Sequence, residues 1–158
     1  MMNKTHPFNN EVESGLRTLF ILNEAYPVSL DLEKIIHLDY LTVHSGDIDK
    51  TQRSIHPAVP YRTGELYVRR NFIKGGISLF VEKNLISVNY SPDGIEYYAS
   101  EYSSPFVESL GEKYSLRLKE RASWAVKGYL DYSIEELKKI IKMRFDSIND
   151  EFNLEILS

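Results

Sequence analysis

Residues 63–100 read TGELYVRRNFIKGGISLFVEKNLISVNYSPDGIEYYAS, and two different periods follow each other within them. From Leu66 to Val81 the apolar positions Leu66, Phe72, Ile73, Ile77, Phe80 and Val81 recur at helical spacing. Leu85, Ile86 and Val88 then open a run rich in β-formers, Pro92-Asp93-Gly94 marks a turn, and Ile95 to Ala99 is a second such run. Proline pre-sets φ at its turn position and Gly94 supplies the freedom a tight reversal needs. A long helix feeding a short antiparallel hairpin is the second half of a winged helix-turn-helix. The hairpin is the expected wing.

Two earlier segments supply the remaining helices. Asn10 is placed to cap the first, with Glu13 three residues on, and Val12, Leu16, Leu19, Phe20 and Asn23 follow one face before Pro27 stops it. Gly15 weakens that helix unless close packing requires it. Ser29 is the expected cap of the second helix, with Asp31 and Glu33 in its first turn and Leu32, Ile35, Ile36, Tyr40 and Val43 as its stripe. The fold class expected is α+β and mostly helical. A winged-helix domain spans 1–101, and a C-terminal helical extension over 102–158 packs on it. Within the extension we expect a short helix interrupted near Pro105, a helix from Tyr114 to Leu130, and a third opened by a Ser133/Glu136 capping box. The last helix has Lys138, Lys139, Lys142 and Arg144 opposite its apolar face. The tail from Asp146 reads equally as a docking element or a frayed end.

Composition narrows the class of protein. The chain has 158 residues, 42% apolar and 27% charged, enough for one sizeable core. It holds no cysteine, so disulfides, thiolate metal sites and cysteine nucleophiles are excluded. No apolar run approaches the ~20 residues that span a bilayer, and the first residues lack a signal-peptide layout. A cytoplasmic location is expected. The net charge of −4 argues against wholesale wrapping of nucleic acid, which is driven by phosphate neutralisation.

Asp39 falls inside the stripe of the second helix, and a buried carboxylate needs a partner. Two accounts fit. In one, Asp39 pairs with Arg62, Arg69 or Arg70 and fixes the helices. In the other it is a catalytic or metal-binding residue helped by His44 and Asp47 nearby. We take the structural account, with Arg69 as partner. Adjacent helical residues point about 100° apart, so Arg70 faces elsewhere. Lys74, four residues on, shares its face. Arg62, Arg70 and Lys74 are therefore the candidate contacts for a partner or for DNA.

That basic signal is local. From Arg62 to Lys83 there are five cations (Arg62, Arg69, Arg70, Lys74, Lys83) against Glu65 and Glu82. The hairpin from Asn84 to Glu101 has no Lys or Arg but does have Asp93, Glu96 and Glu101, which repel a DNA backbone. The loop over 46–62 is also too long for a simple DNA-reading helix-turn-helix, whose turn has three or four residues. It suits protein contact. No metal-ligand spacing links His6, His37, His44 and His56, and no phosphate-binding loop or nucleophile motif is present. No cofactor is expected, and Gly75-Gly76 reads as close packing or a bend.

Further groups of residues carry a resemblance: Pro7-Phe8-Asn9, Leu38-Asp39-Tyr40-Leu41, Val43-His44-Ser45-Gly46-Asp47, Ser54-Ile55-His56-Pro57, and Pro60 through Leu66 with Arg69-Arg70. It continues in Gly94-Ile95 with Tyr97, Pro105-Phe106, Tyr114, and Arg121-Ala122 with Trp124. In these the chain resembles the middle components of bacterial ABC-type three-component systems, relatives of the Lamassu anti-phage and anti-plasmid defences. The resemblance covers most of the chain to about residue 130. It implies a non-catalytic subunit beside an ATPase of the structural-maintenance-of-chromosomes (SMC) type and an effector, often a nuclease, bridging the two. DNA would be met through the whole complex. The rivals are a stand-alone DNA-binding transcriptional regulator, with the Thr63 helix in the major groove, and a metal-dependent nuclease using Asp39, His44, Asp47 and His56.

Overall fold

The computed structural model describes residues 10–45 and 63–144. The first segment holds α1 (Glu11–Ala25) and α2 (Leu32–Val43). The second holds α3 (Thr63–Glu82), β1 (Ile86–Ser91), β2 (Gly94–Ala99), α4 (Ser103–Ser109), α5 (Lys113–Tyr129) and α6 (134–144). The loop at 46–62, with Arg62, Asp47 and His56, and the tail from 145 lie outside the described residues, as do Pro7-Phe8-Asn9. Among the described residues the architecture is mostly helical with one small antiparallel sheet, an α+β fold.

Helix ends follow from local chemistry. Asn10 Oδ1 accepts from the Glu13 amide at 2.7 Å and opens α1. At α6 the capping box forms in both directions: the Glu136 amide donates to Ser133 Oγ, and the Ser133 amide to Glu136 Oε1, each at 3.1 Å. At the end of α3 the Leu85 amide donates to the Phe80 carbonyl and the Asn84 amide to the Val81 carbonyl, both at 3.0 Å. This is a Schellman cap with Asn84 in the left-handed region, φ 63°, a conformation asparagine tolerates better than most residues. Gly94 closes the hairpin turn at φ 135°.

Two expectations are corrected. The cap of α2 is Asp31, whose Oδ1 accepts from the Lys34 amide at 2.9 Å, and not Ser29. The reason is a bridge: Leu30 and Tyr97 exchange both backbone hydrogen bonds at 2.8 Å, which holds that stretch extended, so the helix starts later. Ser29 instead donates to Glu96 Oε1 at 3.0 Å. Pro105 does not interrupt α4, because it lies in the first turn, where no intrahelical N–H is required.

α1 is the hub. It packs against α3, α5, β2, α2 and α4, and Leu19, Phe20, Ile21 and Leu22 are all buried. A one-sided face was expected; burial instead runs nearly all round the helix from Ser14 to Leu22. The exposed residues are at its ends, Glu11 and Val12 (60% exposed) in the first turn and Glu24 in the last. The crossing with α3 is made by glycines. A Cβ on Gly76 would lie 2.5 Å from the Gly15 nitrogen and 2.7 Å from its Cα, and one on Gly15 would strike the Phe80 ring. α5 lays Leu118, Ala122, Ala125 and Val126 over α1 and α2, and α6 adds Leu137 and Ile141 to the same core.

Candidate partner interface

Asp39 is completely buried on α2, and two arginines from two other helices meet it. Arg17 of α1 donates from Nε to Oδ1 at 2.8 Å, and Arg69 of α3 donates from Nη1 to Oδ2. Arg17 is also fully buried; its Nη2 donates to Ser14 Oγ at 3.2 Å, and its Nη1 lies 3.5 Å from Glu13 Oε1. The other side of the cluster is His44, whose Nε2 is 3.5 Å from Arg69 Nη2 and whose ring lies 4.8 Å from that of Tyr40. Tyr114 of α5 donates its hydroxyl to Glu13. Burial and that contact push the Tyr114 hydroxyl well above its ordinary value. Burial also pushes the Asp39 carboxyl upward, but Arg17 and Arg69 outweigh it and hold the carboxyl below its ordinary value. Asp39 thereby ties three helices at one point.

Arg69 sits where the structural account of Asp39 placed it. Arg17 escaped the sequence reading altogether. Its signal was present: a charge four residues after Glu13, embedded in Leu16-Arg17-Thr18-Leu19-Phe20-Ile21-Leu22. A cation inside an apolar run that faces the core demands a buried anion.

Two of the three candidate contact cations, Arg70 and Lys74, lie at the surface of α3. Arg70 is ion-paired with Glu33 of α2, each side chain being about two-fifths exposed. Lys74 is exposed, and Arg62 lies outside the described residues. His44 and Asp39 are both buried, and among the described residues no three His, Asp or Glu side chains are grouped to share a metal ion. Gly75 and Gly76 face Glu11 and Gly15 of α1, so this glycine pair serves the helix crossing.

A model of the family described as ABC-three component (ABC-3C) system Middle Component 2 matches residues 7–151, nearly the whole chain. The chain belongs to that family. No curated protein and no solved structure matches it. As one component of a multi-component system, this middle component has partner proteins. None of its described helices is long and apolar enough to cross a membrane. For the middle component the buried cluster is the architecture that positions α3 and the hairpin. The Arg70–Glu33 pair, Lys74 and the acidic hairpin lie outside that cluster.

Proposed function

We propose that this middle component is a winged-helix accessory subunit, without chemistry of its own, in a Lamassu-like anti-phage or anti-plasmid defence complex. It bridges an SMC-type ATPase and an effector subunit, a nuclease, in the cytoplasm. The winged-helix reading is supported by the order α1, α2, α3, hairpin, and by the Leu30–Tyr97 bridge. That bridge sets the segment between α1 and α2 beside β2, as a third strand would lie. In this reading the winged-helix domain ends at about residue 101 and the extension packs on it through α5.

The observation that carries the accessory role is the charge of the exposed surface. A regulator gripping DNA by itself needs free cations along its recognition helix and wing. Here Arg70 is engaged by Glu33, and the hairpin region from Asn84 to Glu101 is acidic. The isolated chain is therefore expected to bind duplex DNA weakly and with strong salt dependence. Fluorescence anisotropy at near-physiological salt tests this. Sub-micromolar binding that is lost in an Arg70→Glu/Lys74→Glu variant would overturn the accessory reading in favour of a regulator.

A further inference from the structure

At the base of the hairpin, five elements converge on a groove of about 570 Å³, within the range of ligand-holding clefts. Tyr26 follows α1, Asn84 follows α3, Ser87 and Tyr98 lie on the paired strands, and Glu101 and Tyr102 precede α4. The corner is held by backbone clamps. Ser100 Oγ donates to the Asn84 carbonyl at 2.6 Å, the Ser100 amide donates to the Leu85 carbonyl at 3.0 Å, and the Tyr102 amide to Ser100 Oγ at 3.2 Å. Ser100, itself a lining residue, takes part in all three bonds and ties the wall of the groove to the chain that leaves α3.

Its chemistry is one-sided. Three tyrosines and one carboxylate line it, and no lining residue is cationic. Lys83, next to Asn84 in sequence, is not among them. Tyr26 and Tyr102 are 60% and 59% exposed, and Glu101 forms no ion pair or side-chain hydrogen bond with any described residue. Aromatic faces attract a cation through their quadrupole, and a carboxylate adds a direct partner. Arginine fits both at once, because its planar guanidinium stacks on rings and forks onto a carboxylate.

We infer that this groove receives an arginine-bearing segment of a protein partner. The inference rests on the accessory reading, since it assigns one of that subunit's partner contacts. Charge complementarity selects the occupant: the surrounding hairpin has no Lys or Arg and repels phosphate. The volume exceeds one side chain, so the residues flanking the arginine enter as well. Ser87 places the groove beside β1, whose outer edge is unpaired among the described residues and offers backbone groups to an extended chain.

The test is co-expression of the tagged full chain with the other proteins of its operon, with capture followed by mass-spectrometric identification. Glu101→Lys and Tyr26→Ala/Tyr102→Ala are expected to melt like the parent and to retain an operon partner at least tenfold less well. Glu101→Gln, an exposed isostere that cannot disturb the fold, is expected to weaken capture in the same direction. A benzoylphenylalanine photocrosslinker replacing Tyr102 is expected to label a partner segment that contains arginine. Changing that arginine to glutamine should cause at least the loss seen with Glu101→Gln, and Glu101→Gln should then add nothing further to it. Undiminished capture by these variants, or crosslinks only to nucleic acid or to segments without a cation, would overturn the inference while leaving the accessory reading intact. If the parent chain itself captures no operon protein, both fall.

Discussion

Asp39 joins α1, α2 and α3 through one buried side chain. Removing it leaves Arg17 and Arg69 buried opposite no carboxylate at that point, so Asp39→Ala is expected to cost about 3–5 kcal/mol, as for other broken buried pairs. Chemical denaturation of the purified chain measures this. A variant as stable as the parent would reassign Asp39 from a structural to a functional role. The acid limb of stability carries the same signature. Because Asp39 is depressed in the folded state, its stabilisation is complete above the unfolded value of about 3.9 and is lost as pH falls below it toward the folded value. Asp39→Asn should flatten that part of the stability–pH curve. An equally steep curve in the variant would assign the acid sensitivity to other carboxylates.

At the scale of elements, the α1–α3 crossing sets where the hairpin emerges. Gly76 is required because the Gly15 and Glu11 backbone fills the space its Cβ would take, and Gly15 because the Phe80 ring and the Gly76 carbonyl do so. Gly76→Ala meets backbone atoms of Gly15 and Glu11, which cannot rotate away. The loss is expected at the upper end of the ~1–3 kcal/mol usual for overpacking. Gly128, near the end of α5, has nothing within 4 Å of an added Cβ. Gly128→Ala should therefore stabilise by about 0.5–1 kcal/mol through helix propensity alone. Thermal melts of the two variants, side by side, separate packing from propensity. Equal shifts of the same sign would contradict the crossing geometry.

For the molecule as a whole, the C-terminal helices are part of the core that the first hundred residues need. Leu118, Ala122, Ala125 and Val126 cover α1 and α2, and Tyr114 reaches Glu13 beside the buried cluster. A fragment ending at residue 101 uncovers that side of α1. It is expected to lose the cooperative thermal transition of the full chain and to bind a hydrophobic dye such as ANS. Circular dichroism and dye fluorescence measure this. A fragment melting cooperatively near the parent's temperature would make the extension dispensable to the fold.

Elements whose cause is local were legible in the chain itself. The Asn10 cap, the Ser133/Glu136 box, the helical period before the hairpin and the Pro92-Asp93-Gly94 turn depend on residues within four positions of one another. Such interactions are present in the sequence pattern before any folding. What required the tertiary structure is whatever joins distant residues. Ser29 has the chemistry of a cap, yet Leu30's bridge to Tyr97, 67 residues away, sends it to Glu96 instead. Arg70 and Lys74 share a helix face, yet only the packing of α2 beside α3 brings Glu33 to Arg70. Arg17 and Asp39 are 22 residues apart, and nothing in either helix alone reveals that they meet. The tyrosine groove likewise draws on five separate elements. Propensity and capping act along the chain, whereas burial and ion pairing act through space, and so the sequence determined the elements while the fold decided which side chains they bring together.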